Sequence, residues 1–296
     1  MKFIICLLLT SQFAYANNSS EWTPKYQKTN LKKLDQDILK LTPSTKLKKS
    51  NVKTSNSKPN QSRVASKKTS IIPDTPLEAL YLKKPKDKSH LNLLKNESLR
   101  MKQKAVPTLI KVMKSSSYPD ENRWVATYML GRIMGKKSAP LISKFSKHPN
   151  WMLRLASLKV LLHLDQRQYK GIYARLLDDK SLIVRHQALQ NIKQMEIKSL
   201  APYVWKMLFN KENYVGLKGN RKRSNIIKDA IKTVGDLDFK KAEKPMLEMF
   251  KKKKYKDVYE ELDYSLSRIT KKDSPKGSMS VKKIYWNRKA ISGVTI

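Results

Sequence analysis

The chain has 296 residues, and its 63 Lys+Arg against 24 Asp+Glu give a formal net charge of +39. That balance excludes an ordinary near-neutral enzyme, and it is explained either by an anionic partner or by a lysine-rich proteome in which the bias has no specific function. A hydrophobic content of 40% and a mean hydropathy of −0.61 are low for a chain packed throughout, so part of it is expected to stay unfolded.

The N-terminus reads as a leader. Lys2 supplies a positive charge, residues 3–9 are uninterrupted apolar, and Ala14-Tyr15-Ala16 has the small-x-small pattern of a signal-peptidase site, so cleavage is expected after Ala16. The apolar run is too short for a bilayer core of about 30 Å. Cys6, the one cysteine, falls inside this leader, which leaves the mature chain without disulfide, thiolate or Cys-ligated zinc chemistry. The expected location is the periplasm or the exterior.

Residues 17–76 are dominated by Lys, Ser, Thr, Asn and Pro, as in Lys46-Leu-Lys-Lys-Ser-Asn-Val-Lys-Thr-Ser-Asn-Ser-Lys-Pro59. So little apolar surface cannot offset the conformational entropy of folding, and a disordered basic tether is expected. Within it, Leu31, Leu34, Ile38 and Leu41 are spaced for one short amphipathic helix, either transient or docking on a partner or membrane surface.

Beyond Pro76 the apolar pattern is helical, with no strand alternation, and it repeats. Arg123, Arg154 and Arg185 are 31 residues apart, within Asn122-Arg-Trp-Val-Ala126, Leu153-Arg-Leu-Ala-Ser157 and Val184-Arg-His-Gln-Ala188. The same period relates Ala139-Pro-Leu-Ile142, Lys170-Gly-Ile-Tyr173 and Ala201-Pro-Tyr-Val204, and also Phe145, Leu176 and Met207. A unit of this length holds two helices of about 12 residues and two turns, and neither helix can bury its apolar stripe without a neighbouring unit.

These residues resemble the HEAT-repeat family in its short bacterial form, the PBS-lyase-type repeat. Asp179 with Val184-Arg185-x-x-Ala188 follows the family's Asp-Pro-x-x-x-Val-Arg-x-x-Ala pattern, and Arg123-x-x-Ala126 with Leu130-Gly131 follows its second half. The resemblance implies an all-α, right-handed α-solenoid of stacked helix pairs over residues 77–273, with second helices lining the concave face. Where the family prefers Asp six residues before the Arg, this chain has Ser117 and His148 in the two earlier units. An Asp–Arg ladder is therefore in question there.

Later units are less regular. Ile227-Lys-Asp-Ala230 with Val234-Gly235 reads as another second helix, but Ala188 to Ala230 is 42 residues, and the excess falls at 213–225, a loop containing Lys218, Arg221, Lys222 and Arg223. A last helix is expected at 258–269. Residues 274–296, with Trp286, read as a C-terminal tail or as a cap similar to that of bacterial HEAT-like proteins.

Chemistry is sparse. His90, His148, His163 and His186 have no metal-ligand spacing, and no phosphate loop, nucleophile elbow or paired-carboxylate signature occurs. The expectation is a chain that is not an enzyme and needs no cofactor or metal. The best enzymatic analogy, to HEAT-like bilin lyases or DNA glycosylases, has no residue here in independent support.

Binding is the better-supported class. With Arg123 and Ala126 taken as buried, the opposite stripe of the second helix is Trp124, Tyr128 and Arg132. Stepping by 31 gives Leu155, Lys159 and His163, then His186, Gln190 and Gln194, and aligning Ala230 with Ala188 adds Lys228, Lys232 and Asp236. This row suits an extended polyanion or an acidic peptide; the alternative is that Trp124 and Leu155 pack against a neighbouring helix. The loop cations Lys218, Arg221, Lys222 and Arg223 belong to the same candidate surface. Residues 251–254, all Lys, form either a phosphate grip or a solvated turn, and Arg123, Arg154 and Arg185 are expected to brace the turns between units.

With 51 Lys and 12 Arg the cations are not those preferred for bidentate base or phosphate recognition. The reading is therefore a monomeric, exported scaffold for an acidic protein or envelope polyanion, with sequence-nonspecific nucleic-acid binding as the alternative.

Overall fold

In the computed structural model, residues 72–215 and 222–292 are described; the side chains of Val215, Lys222, Arg223 and Ser292 are not. The leader, residues 17–71 of the basic tether with the short helix expected at 31–41, and Lys218 and Arg221 lie outside the described residues; at the tether's end Thr75 caps α1 and Pro76 begins it.

Six helix pairs follow one another. They are α1 (Pro76–Leu82) with α2 (Lys88–Met101), α3 (Val106–Lys114) with α4 (Asp120–Met134), and α5 (Ala139–Lys144) with α6 (Trp151–His163). Then come α7 (Lys170–Leu176) with α8 (Leu182–Gln194), α9 (Ala201–Lys206) with α10 (Asn225–Asp236), and α11 (Glu243–Lys251) with α12 (Tyr259–Thr270). A final helix, α13 (Met279–Ser292), packs on α11 and α12. The 31-residue period is visible in the helix starts: Asp120, Trp151 and Leu182 for the second helices, Ala139, Lys170 and Ala201 for the first.

Local chemistry sets the ends. Pro107, Pro140 and Pro202 stand in the first turn of α3, α5 and α9, where no intrahelical N–H is needed. The side chains of Thr75, Asp87 and Asn150 accept from the backbone N–H of Glu78, His90 and Met152, capping α1, α2 and α6. After every second helix the chain reverses through one residue at positive φ: Lys102, Gly135, Asp165, Glu196, Asp238 and Lys271, all between 48° and 56°.

Backbone contact between units runs through the second helices: α2 meets α4, α4 meets α6, α6 meets α8, α8 meets α10 and α10 meets α12. The chain is thus an all-α solenoid of stacked pairs. Two crossings are tight. A methyl group on Gly131 of α4 would lie 2.4 Å from Val160 Cγ1 of α6, and one on Gly235 of α10 would lie 2.6 Å from Ser265 Cα of α12. Side chains also bond from one second helix to the next: Asn191 Nδ2 donates to Leu158 O at 2.8 Å, and Ser265 Oγ, at the second crossing, to Ile231 O at 2.8 Å. Val125, Ala126, Met129 and Leu130 of α4 and Leu158, Val160 and Leu161 of α6 are fully enclosed. At the C-terminal end Trp286 of α13 is fully buried, its Nε1 donating to Asp263 Oδ1 at 2.8 Å, and Lys282 binds the other oxygen at 2.7 Å.

The repeating arginines link turns. Arg154 donates through Nε and Nη2 to both oxygens of Asp179, each at 2.7 Å, and through Nη1 to the carbonyls of His148 and Pro149. Arg123 reaches Met113 O, Asp120 and His148, and Arg185 reaches Asn213 Oδ1 and the carbonyls of Asp179, Lys180 and Glu212. The residue lying 25 positions after Arg123 and Arg154 is His148 and Asp179 respectively, so the ladder persists in the earlier unit with an imidazole in place of a carboxylate. Asn213 takes the place for Arg185, displaced by the start of the inserted loop.

The insertion holds a feature absent from the sequence reading. β1 (Tyr214–Val215) and β2 (Lys222–Arg223) pair antiparallel, with Tyr214 opposite Arg223 and Val215 opposite Lys222. Ser224 closes the neck, its backbone N–H donating to Asn213 O at 3.2 Å. Two residues per strand are too few for alternation to show in a sequence.

Candidate functional site

The second-helix row is the surface on which the expected residues come together. On α4, Trp124 and Tyr128 are one turn apart on one face, and their rings stack with centroids 5.6 Å apart and planes 5° from parallel. Both are half-buried, and Arg132, another turn on, is exposed. On α6, Lys159 is half-buried and His163 exposed, whereas Leu155 is 1% exposed and belongs to the core. His186 and Gln190 continue the row on α8, Lys228 and Lys232 on α10; all four are half-buried.

Electrostatics divide this row in two. In the C-terminal half the cations face acids on the next helix. His186 Nε2 is 3.1 Å from Asp229 Oδ2, Lys193 is 3.4 Å from Asp236, and Lys228 is 3.6 Å from the buried Glu261. Arg268 is 3.2 Å from Asp236, which also accepts from Tyr264 Oη at 2.7 Å. The Tyr264 ring lies beneath the Arg268 guanidinium, 4.6 Å away, and 6.0 Å from Lys232 Nζ. Burial and the bond to Asp236 push the Tyr264 phenol up. This half is a matched set of charges joining α8, α10 and α12 rather than an open basic stripe.

The N-terminal half differs in composition. No Asp or Glu occurs between Glu121 and Asp165, the stretch that carries Trp124, Tyr128, Arg132, Lys159 and His163. Desolvation of the ring and then the neighbouring Arg132 hold the His163 imidazole below its ordinary value. An aromatic stack beside cations, with no carboxylate contributed by α6, is able to receive an acidic segment that also offers an apolar or aromatic face.

The inserted loop gives less. Lys222 and Arg223 form β2, while Lys218 and Arg221 lie outside the described residues, so the four cations are not seen together. Residues 251–254 are exposed, with Lys251 paired to Glu248 at 2.7 Å, as in a solvated turn. Sequence reasoning also missed an open groove of about 680 Å³ on the first-helix side, where Gly171, Ala174 and Leu177 face Tyr203, Met207 and Phe209. Its lining is mostly apolar, with Tyr203 and Phe209 largely exposed. Among the described residues no group of three or more His, Cys, Asp or Glu is placed to hold a metal, and no helix is long and apolar enough to cross a membrane.

No family model and no curated protein matches the chain. Among solved structures it is similar to the complex of CpcE and CpcF of phycocyanin lyase from Nostoc sp. PCC7120, at 11% identity and a TM-score of 0.40, over 78% of this chain and 100% of that one. The likeness is one of helical-repeat fold. It corrects the expectation that the chain is not an enzyme: the similar structure is that of a lyase, so a HEAT-like stack is no ground for excluding catalysis.

Proposed function

We propose that the protein is an interaction scaffold built from short bacterial HEAT-like repeats, which holds an acidic partner protein over Trp124, Tyr128, Arg132, Lys159 and His163. The observation that carries this reading is the stacked Trp124–Tyr128 pair beside Arg132 in a stretch without a single acid. The N-terminal half of the row lies in a stretch that contributes no carboxylate of its own between Glu121 and Asp165. The C-terminal half, cross-linked by Asp229, Asp236 and Glu261, supports the row mechanically. The 31-residue period and the Val184-Arg185-x-x-Ala188 motif support the repeat type, and the leader read at residues 1–16 supports a place outside the cytoplasm.

The test starts from a partner captured at moderate salt and then purified, so that affinity is measured on two defined components. Replacing Trp124 and Arg132 together by Ala should weaken binding at least tenfold, roughly 1.4 kcal/mol. Replacing Lys228 and Lys232 by Ala should change it less than about threefold. Equal losses from both pairs, or none from the first, would refute the assignment of the site.

A further inference from the structure

The turns between each second helix and the next first helix carry a feature that the partner site does not use. The five such turns, and the turn that follows α12, each hold an exposed cation: Lys102, Lys136, Arg167, Lys198, Lys240 and Lys271. In most of these turns a second exposed lysine stands nearby, as Lys137 and Lys241 do. The positive-φ residue that ends every second helix repeats the same reversal, and the cations stand at that residue (Lys102, Lys271), one place after it (Lys136) or two places after it (Arg167, Lys198, Lys240). Helix packing sets successive units about 10 Å apart, so the six turns extend along roughly 50 Å.

Contacts show that these turns are neighbours in space. Gln103 Nε2 donates to Ile133 O at 3.3 Å, joining the first turn to the end of α4. Lys240 donates to Ile269 O at the end of α12, and Lys240 and Lys271 lie 3.0 and 3.8 Å from the same carboxylate oxygen of Asp238. Lys198, one turn earlier, acts on that carboxylate as well, and the three lysines together hold Asp238 below the usual carboxylate range. Asp238 shows what an anion experiences at this edge: cations from three successive turns converge on it. Acids stand on this edge as well, Arg167 lying 3.0 Å from Asp165 and Glu196 preceding Lys198, but every turn keeps a cation, whereas the opposite edge has a turn at 115–119 without one.

We infer that this edge is a docking strip for a membrane surface rich in anionic phospholipid. Second helices of 12 to 15 residues each end in such a turn, so the cations recur along one edge of the stack. All but Arg167 are lysines, compact point charges suited to a diffuse field of headgroups more than to bidentate recognition. The residues between them offer no exposed aromatic ring on which bases could stack. Binding is peripheral and electrostatic, and it weakens as salt shortens the Debye length. The strip is distinct from the Trp124–Tyr128 row, so the failure of either assignment leaves the other standing.

The experiment is co-flotation of the full chain with large unilamellar vesicles of phosphatidylcholine containing 30% phosphatidylglycerol. The variant Lys136→Gln, Lys137→Gln, Arg167→Gln, Lys198→Gln is compared with one of equal net charge from the opposite edge: Lys83→Gln, Lys84→Gln, Lys147→Gln, Lys180→Gln. The strip variant should partition at least tenfold more weakly, the control less than threefold, and vesicles of phosphatidylcholine alone should bind neither. Raising NaCl from 50 to 300 mM should release the unaltered chain. The double variant Lys136→Gln, Lys198→Gln should fall between, which keeps the test valid if the fourfold change impairs folding. Equal losses in strip and control variants would show that net charge alone acts, and absence of binding to the anionic vesicles would overturn the inference. So would a strip-dependent affinity for duplex DNA with vesicle binding unaffected by the strip changes.

Discussion

Arg154 and Asp179 form a two-pronged ion pair between consecutive units, Nε to Oδ2 and Nη2 to Oδ1, both at 2.7 Å. The side chains are 12% and 6% exposed, so neither is well served by water if the other is lost. Asp179→Ala should therefore destabilise the fold by about 3 kcal/mol in urea denaturation. Arg154→Lys, which keeps the charge but not the fork, should recover less than half of the loss caused by Arg154→Ala. A cost under about 1 kcal/mol for Asp179→Ala would mean that the pair is not a structural link.

The two tight crossings should respond differently to a methyl group. At Gly235 the obstacle is backbone, Ser265 Cα at 2.6 Å, so Gly235→Ala must separate α10 from α12 and should cost about 3 kcal/mol. At Gly131 the obstacle is the tip of Val160, and Gly131→Ala should be largely restored by Val160→Ala in the same chain. Thermal unfolding of the four proteins checks this; restoration of Gly235→Ala by Ser265→Gly would contradict it, since the Cα remains.

Acid should loosen the ladder at its imidazole member. Burial, then the Arg123 guanidinium, hold His148 below its ordinary value, and Arg123 Nη2 lies 3.1 Å from Nε2. A group with a depressed folded value contributes stability that is complete above its unfolded value of about 6.5 and is lost as pH falls through the folded one. Stability should accordingly decline from pH 7 toward pH 5. In His148→Gln that decline should be shallower; an unchanged slope would remove His148 from the account.

The C-terminal helix should be part of the cooperative unit. Asp263 feels burial, which raises its value, but the bonds from Lys282, Ser274 and Trp286 prevail and hold it low. It therefore contributes stability above its unfolded value near 3.9 that is lost as pH falls below it. Trp286→Ala removes a fully buried ring together with its bond to Asp263 and should cost about 4 kcal/mol. Trp286→Phe, which keeps most of the ring but not the donor, should cost about 2 kcal/mol. Hydrogen exchange in α11 should accelerate with the first change.

Much of this architecture is legible from spacing because each unit solves one packing problem in one way. The starts of α4, α6 and α8 and of α5, α7 and α9 follow the same interval as the arginines that precede Ala126, Ser157 and Ala188. Direction is harder to read. Leu155 falls in the outward row by arithmetic but is 1% exposed and belongs to the core, whereas Trp124, at the same place in α4, is half-buried. The acids that neutralise the C-terminal half of the row are invisible to the period. Asp229 and Glu261 lie beyond the insertion, where 31 no longer maps one helix onto the next, and a pairing such as His186 with Asp229 leaves no periodic trace. Lys136, Arg167 and Lys198 in the turns keep the 31-residue period, yet abundant lysine elsewhere conceals them.

The short β1–β2 hairpin has a consequence for how the chain finds its own register. Similar units could slide by one place while folding, α6 stacking where α8 belongs, because each presents much the same apolar face. The hairpin occurs between α9 and α10 and nowhere else among the described residues, and Arg185, at the step it interrupts, seeks an amide in Asn213 where Arg154 seeks a carboxylate. A displaced unit would confront its neighbour with the wrong acceptor and a chain of the wrong length. Irregularity at a single step thus acts as an index mark, giving every helix one address in a sequence that otherwise repeats itself.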